Sequence, residues 1–150
     1  MTEAANITVL LMGAVLAFTL LKLMEVTAKS SKVYKVLGFF AVVFSLASGA
    51  ATARIIGSGV SDAMSGISGT PEMAINALMT LLGIICLGLG VVAVLPNGIC
   101  GIDVDDKVVG LVAAAPMLTA VGAGDAGSAA RAFIHVVSGA VAQLILGLFT

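Results

Sequence analysis

The sequence predicts an all-α, polytopic integral membrane protein, a single helical domain over residues 1–150 with four to five transmembrane helices. Three observations lead there. The chain is 60% hydrophobic and only 10% charged, with a mean hydropathy of +1.20; a soluble domain carries roughly 25% charged residues, so this chain lacks the means to cover a water-facing surface. Its apolar residues fall into long runs separated by short polar stretches. In one run, LGFFAVVFSLASGAATARIIG, small residues recur every fourth position: Ala41, Ser45, Gly49, Ala53 and Gly57. On a helix they form one near-axial stripe, the small-xxx-small pattern that lets apolar helices approach closely in lipid.

The first apolar run is Ile7–Lys22, continuing as helix to about Ala28. Its leading residues carry Glu3 and no Lys or Arg, unlike a secretory signal, so a retained membrane helix is expected. Lys22 and Glu25 stand three apart near its end, placed for a local ion pair. Lys29, Lys32 and Lys35 follow and mark a cytoplasmic loop by the positive-inside rule, which puts the N-terminus on the outer side. A second helix is expected over Val33–Ile56, with Arg54 near its far end as an interface anchor or, alternatively, a pore-lining or lipid-headgroup contact.

Residues 57–72, GSGVSDAMSGISGTPE, are small and polar and predict a loop or a broken helix. Thr70-Pro71-Glu72 has the form of a helix start, and the third helix runs from Pro71 to Leu95, with no charge from Met73 on, ended by Pro96-Asn97-Gly98. Residues 97–107 form an acidic loop. Asp103, Asp105 and Asp106 lack the spacing of a calcium loop, so a solvated loop and no metal site are expected. Val108–Val121 is short for a ~30 Å hydrocarbon core and holds Pro116, so it reads as a kinked span or a re-entrant segment. GAGDAG (122–127) breaks it. The last helix, about Ser128–Phe149, carries Arg131 and His135 on one face and a small face of Ser128, Ala132, Gly139, Ala142 and Gly147. Gly57-Ser-Gly59 and Gly122-Ala-Gly124 are 65 residues apart, as are Val43/Val108, Leu46/Leu111 and Ala50/Ala115, which admits a two-hairpin repeat.

Ionisable groups inside spans are the default functional candidates. Here they are Lys22, Glu25, Arg54, Arg131 and His135, a candidate polar path. The sole His lies in a span, so no Ser-His-Asp or Cys-His set forms, there is no phosphate loop, and no catalytic residue is expected. Cys86 and Cys100 are not spaced as a zinc site. Net charge is -1 without a basic tail, which argues against direct nucleic-acid binding.

The stretch ASGAATARIIGSGVSDAMSGISGTPE (Ala47–Glu72) resembles the first helix and polar loop of rotary ATPase proteolipid (c-ring) subunits. The resemblance implies close packing in a ring. That family's ion-binding carboxylate has no counterpart in Ala74–Leu95, so rotary ion translocation is not carried over. In composition the chain is also similar to small Ala/Gly-rich membrane subunits and pilins of conjugation and secretion machines. The expected function is a non-enzymatic subunit of a homo-oligomeric membrane assembly, most concretely a pilus or channel component of such a machine. Its expected partners are membrane lipids, copies of itself and other membrane subunits, with no cofactor. The alternatives are an ion- or small-solute-conducting subunit, or a redox-complex anchor in which His135 binds a cofactor.

Overall fold

A computed structural model describes residues 2–29, 31–65, 72–95, 103–120 and 124–148. The described residues form five helices: α1 (Glu3–Val26), α2 (Lys32–Ser65), α3 (Glu72–Val94), α4 (Asp106–Ala120) and α5 (Gly124–Gly147). Four stretches are long and apolar enough to cross a membrane by length and composition: Glu3–Val26, Lys32–Ile56, Ala74–Val94 and Asp125–Gly147. The expected Thr70-Pro71 start, the Pro96–Gly98 stop and Cys100 lie outside the described residues, while Cys86 is a buried free thiol in α3.

Local chemistry sets the helix starts. Thr2 accepts the Ala5 N–H at 3.4 Å, and Glu3 puts an acid in the first turn of α1. Ser31 Oγ accepts the Tyr34 N–H at 3.1 Å ahead of α2. Asp105 Oδ1 accepts the Val108 N–H at 2.8 Å at the head of α4. The acidic loop is thus more than solvated surface: Asp105 caps a helix, and Asp103 meets Lys29 at 3.5 Å across the end of the bundle. Asp105→Ala is expected to lower stability by about 1 kcal/mol in detergent unfolding, and Asp105→Asn, which keeps an acceptor, to recover most of it.

Two elements differ from the sequence expectation. The second helix does not stop near Ile56; it continues through the glycine-rich stretch to Ser65. Each isolated Gly costs about 1 kcal/mol in a helix. A helix already nucleated over its preceding turns can carry that cost, with Val60, Ala63 and Met64 interspersed. The polar loop that the proteolipid resemblance implies therefore starts later here. Likewise the GAGDAG break is shorter than expected, since Gly124–Gly127 already belong to α5.

α2 lies at the centre. Half of its apolar window is buried, against 22% for α1 and α3 and 33% for α5. It contributes to both core clusters. Ala41, Leu46 and Ala50 pack with Val108, Val109 and Val112 of α4, while Ala47 and Ala51 pack with Val9 of α1 and Val141 and Ile145 of α5.

The stripe meets another helix of the same chain. Ala41 is fully buried, and Ser45 Oγ donates to the Val109 carbonyl at 2.7 Å. A Cβ built on Gly49 would fall on the Ala113 carbonyl. Ala53 is half-buried, and the surroundings of Gly57 are outside those described. A neighbouring row, with Ser48 donating to the Leu10 carbonyl at 3.0 Å, seats α1.

Ser45–Val109 and Gly49–Ala113 share one offset, so α2 and α4 run parallel. α1–α2 and α3–α4 are each antiparallel hairpins with a glycine at the crossing. Gly13 faces Phe44 and Ser48, and Gly83 faces Ala115, Leu118 and Thr119. α5 then runs antiparallel to α2. These hairpins are not the units related by the 65-residue spacing, in which α2 corresponds to α4 and the helix after each glycine pair is α3 or α5.

α4 has 15 residues, about 22 Å at ~1.5 Å per residue, too short for a ~30 Å hydrocarbon core. It is held against α2 and α3, with Val112, Ala115, Pro116 and Thr119 buried. Pro116 supplies no N–H to the Val112 carbonyl. Burial among protein rather than lipid makes that break tolerable.

Candidate functional site

The five ionisable residues of the candidate path fall into two separate groups. Lys22 Nζ and Glu25 Oε1 are 2.6 Å apart on α1, both side chains at least half exposed, with Lys22 5.7 Å above the Phe18 ring. This is a surface i,i+3 pair with a modest contribution. It sits at the end of the bundle that carries Lys29, Tyr34 and the 103–105 segment. There Glu25 borders a cavity of about 380 Å³, and the Tyr34 hydroxyl donates to the Val104 carbonyl at 3.4 Å.

The other three converge at the opposite end. Arg54 Nη2 lies 3.0 Å from His135 Nδ1. A guanidinium can only donate, so Nδ1 is the acceptor in this contact. One turn earlier on α5, Arg131 Nη1 donates to the Thr119 carbonyl at 3.1 Å. That carbonyl is in the last turn of α4, where backbone acceptors lack helical partners and face the negative end of the dipole. Arg131 thus closes the helix that Pro116 interrupts, while the Thr119 hydroxyl turns back to the Ala115 carbonyl at 3.0 Å. Together Arg54, Arg131, His135, Pro116 and Thr119 border a cavity of about 110 Å³.

The i,i+4 relation of Arg131 and His135 is visible in the sequence; the arrival of Arg54 from 81 residues away is not. Thr119 and Asp105 carry no motif that would single them out. Gly38, where Val104 and Met24 close on the backbone, stands level with the Lys22–Glu25 end of α1. Arg54 is sixteen residues further along α2, about 24 Å at ~1.5 Å per residue, and the stretch between is lined by Ala41, Leu46 and Ala50 of the apolar core. The two polar groups are separate stations. Among the described residues no three His, Cys, Asp or Glu side chains come together as a metal-holding group.

Comparison with protein-family profiles, curated proteins and solved structures finds no significant match to this chain.

Proposed function

We propose that the chain is a non-enzymatic, multi-pass membrane protein acting as a subunit of a homo-oligomeric assembly, most concretely a pilus or channel component of a conjugation- or secretion-type machine. The membrane part rests on what the helices turn outward. Leu11, Val15 and Phe18 of α1, Leu78 and Leu81 of α3, and Val136 of α5 are each at least half exposed. Water-facing monomers rarely carry apolar surface so broad. Lipid or neighbouring subunits must cover it. By the positive-inside rule the Lys29–Lys35 turn faces the cytoplasm and the start of α1 the outer side.

The observation that favours self-assembly is a small face on α5 that is open except at Ala142, which is buried in the core against α1 and α2. A Cβ built on Gly139 or Gly147 meets no other atom within 4 Å, and Ser128 and Ala132 of the same helix are exposed. Small residues left open on a membrane helix suit a close helix–helix contact between copies. The Ala41–Gly49 part of the α2 stripe, already seated on α4, is not available for one. Conduction through a single copy has less support, because an apolar core separates the two polar stations; a route would have to lie between copies.

The test is particle mass in mild detergent with cryo-EM of the same sample. The expected result is a ring or filament for the parent chain and monomers for Gly139→Leu and Gly147→Leu, with helicity unchanged. A monodisperse parent monomer, or normal assembly of both variants, would sink the assembly reading.

A further inference from the structure

We propose that the crevice between α2, α4 and α5 binds an anionic lipid, its phosphate on the Arg54–Arg131–His135 cluster and an acyl chain in an apolar groove beside it. The site presupposes the membrane placement proposed above.

The groove has a volume of about 530 Å³ and is bordered by α2, α3, α4 and α5. Leu46, Gly90, Val112 and Val137 form its floor and walls, and every lining side chain is apolar or absent. Its volume lies in the ~300–1,000 Å³ range of small-molecule sites. Phe39, Phe133 and Val136 at its border are exposed by 48%, 50% and 73%, so the groove opens outward. An occupant with apolar surface is favoured there over water.

The position of the cation cluster selects the occupant. On α2 and α4 the lining of the groove and that of the small cavity are consecutive, and on α5 they interleave, with Phe133 and Val136 in the groove beside Ile134 and His135 in the cavity. Leu46 gives way to Ala50 on α2, Val112 to Pro116 on α4, and Val137 to Ile134 on α5. Each step is three or four residues, about 5–6 Å at ~1.5 Å per residue. An apolar slot therefore leads into a group holding two guanidinium charges. Both arginines keep their charge whatever they donate to, and guanidinium geometry matches phosphate oxygens. Arg54 stands two residues before the end of the apolar stretch Lys32–Ile56, the depth at which a headgroup phosphate would be met. A molecule with an anionic head and an apolar chain satisfies both parts; a zwitterionic lipid would bring its own cation to two fixed positive charges.

The test is native mass spectrometry of the full chain in detergent, titrated in turn with dioleoylphosphatidylglycerol, dioleoylphosphatidylcholine and inorganic phosphate. Phosphatidylglycerol is expected to be retained at least about fivefold better than phosphatidylcholine, in line with the usual effect of one basic residue at an anionic lipid surface. Arg54→Gln and Arg131→Gln should each cut phosphatidylglycerol affinity about fivefold. Arg54→Lys, which retains the charge, should keep most of it. Ala140→Phe adds bulk at an exposed residue lining the groove and should weaken phosphatidylglycerol binding while leaving helicity unchanged.

Equal binding of the two lipids, an undiminished preference in both glutamine variants, or equal loss in Arg54→Lys would overturn the headgroup assignment. Unchanged binding in Ala140→Phe would overturn the acyl groove. Displacement of the lipid by equimolar phosphate would replace the lipid with a free anion. A chain monodisperse in buffer without detergent would instead defeat the membrane placement, a result distinct from a detergent-held chain with no lipid preference.

Discussion

Gly49→Leu is expected to abolish the native fold, and Gly49→Ala to destabilise it by about 3 kcal/mol, at the upper end of overpacking penalties. The new Cβ would coincide with the Ala113 carbonyl. Backbone cannot rotate aside as a flexible side chain can, so α2 and α4 must separate. Separation also lengthens the Ser45–Val109 hydrogen bond one turn away and opens the Ala41, Leu46 and Val112 core. Circular dichroism and thermal unfolding in detergent read the result. Gly88→Ala in α3 is the matched control, since open space surrounds that Cβ and Ala is the better helix former by about 1 kcal/mol. If Gly49→Ala melts with the parent, the α2–α4 crossing is not as close as described here.

Ile145→Ala is the second large effect, expected at about 2 kcal/mol. Ile145 is fully buried where α1, α2 and α5 meet, against Val9, Ala47 and Ala51. In water-soluble proteins such truncations cost about 2–5 kcal/mol, combining lost transfer energy with the cavity left behind. Between helices in lipid the transfer part largely disappears, because acyl chains are as apolar as the core, and the lost packing remains. The value therefore reports the solvent as well as the site. About 2 kcal/mol agrees with a lipid-embedded helix contact, whereas 4 or more would mean that the chain folds out of water.

The five helices were legible in the sequence because their apolar runs are long and sharply bounded. Even α4 shows as a short run around Pro116, and its length explains why it leans on α2 and α3. The extension of α2 to Ser65 was not legible, because Gly, Ser and Asp over 57–65 give a loop-like local composition and helix continuity is decided by the turns before it. The stripe was legible as a close-packing surface, but its partner was not, since Gly49 would suit α4 of its own chain or a helix of a neighbour equally well. Half of the cation cluster was visible as the Arg131–His135 spacing on one helix. The other half depends on α5 returning antiparallel to α2, and no local pattern encodes a contact across 81 residues.

The paired hairpins followed by a single extra helix have a consequence for handling the molecule. α1 begins at the Arg54 end and α5 finishes at the lysine end, so the first and last helices leave the bundle on opposite faces. Each is 24 residues, about 36 Å long at ~1.5 Å per residue. On the proposed membrane placement, reporters fused before α1 and after α5 would sit in different compartments. Alkaline phosphatase and green fluorescent protein would give complementary signals, and a split reporter with one half at each end would stay dark. A circularly permuted gene would have to bridge the whole thickness of the bundle.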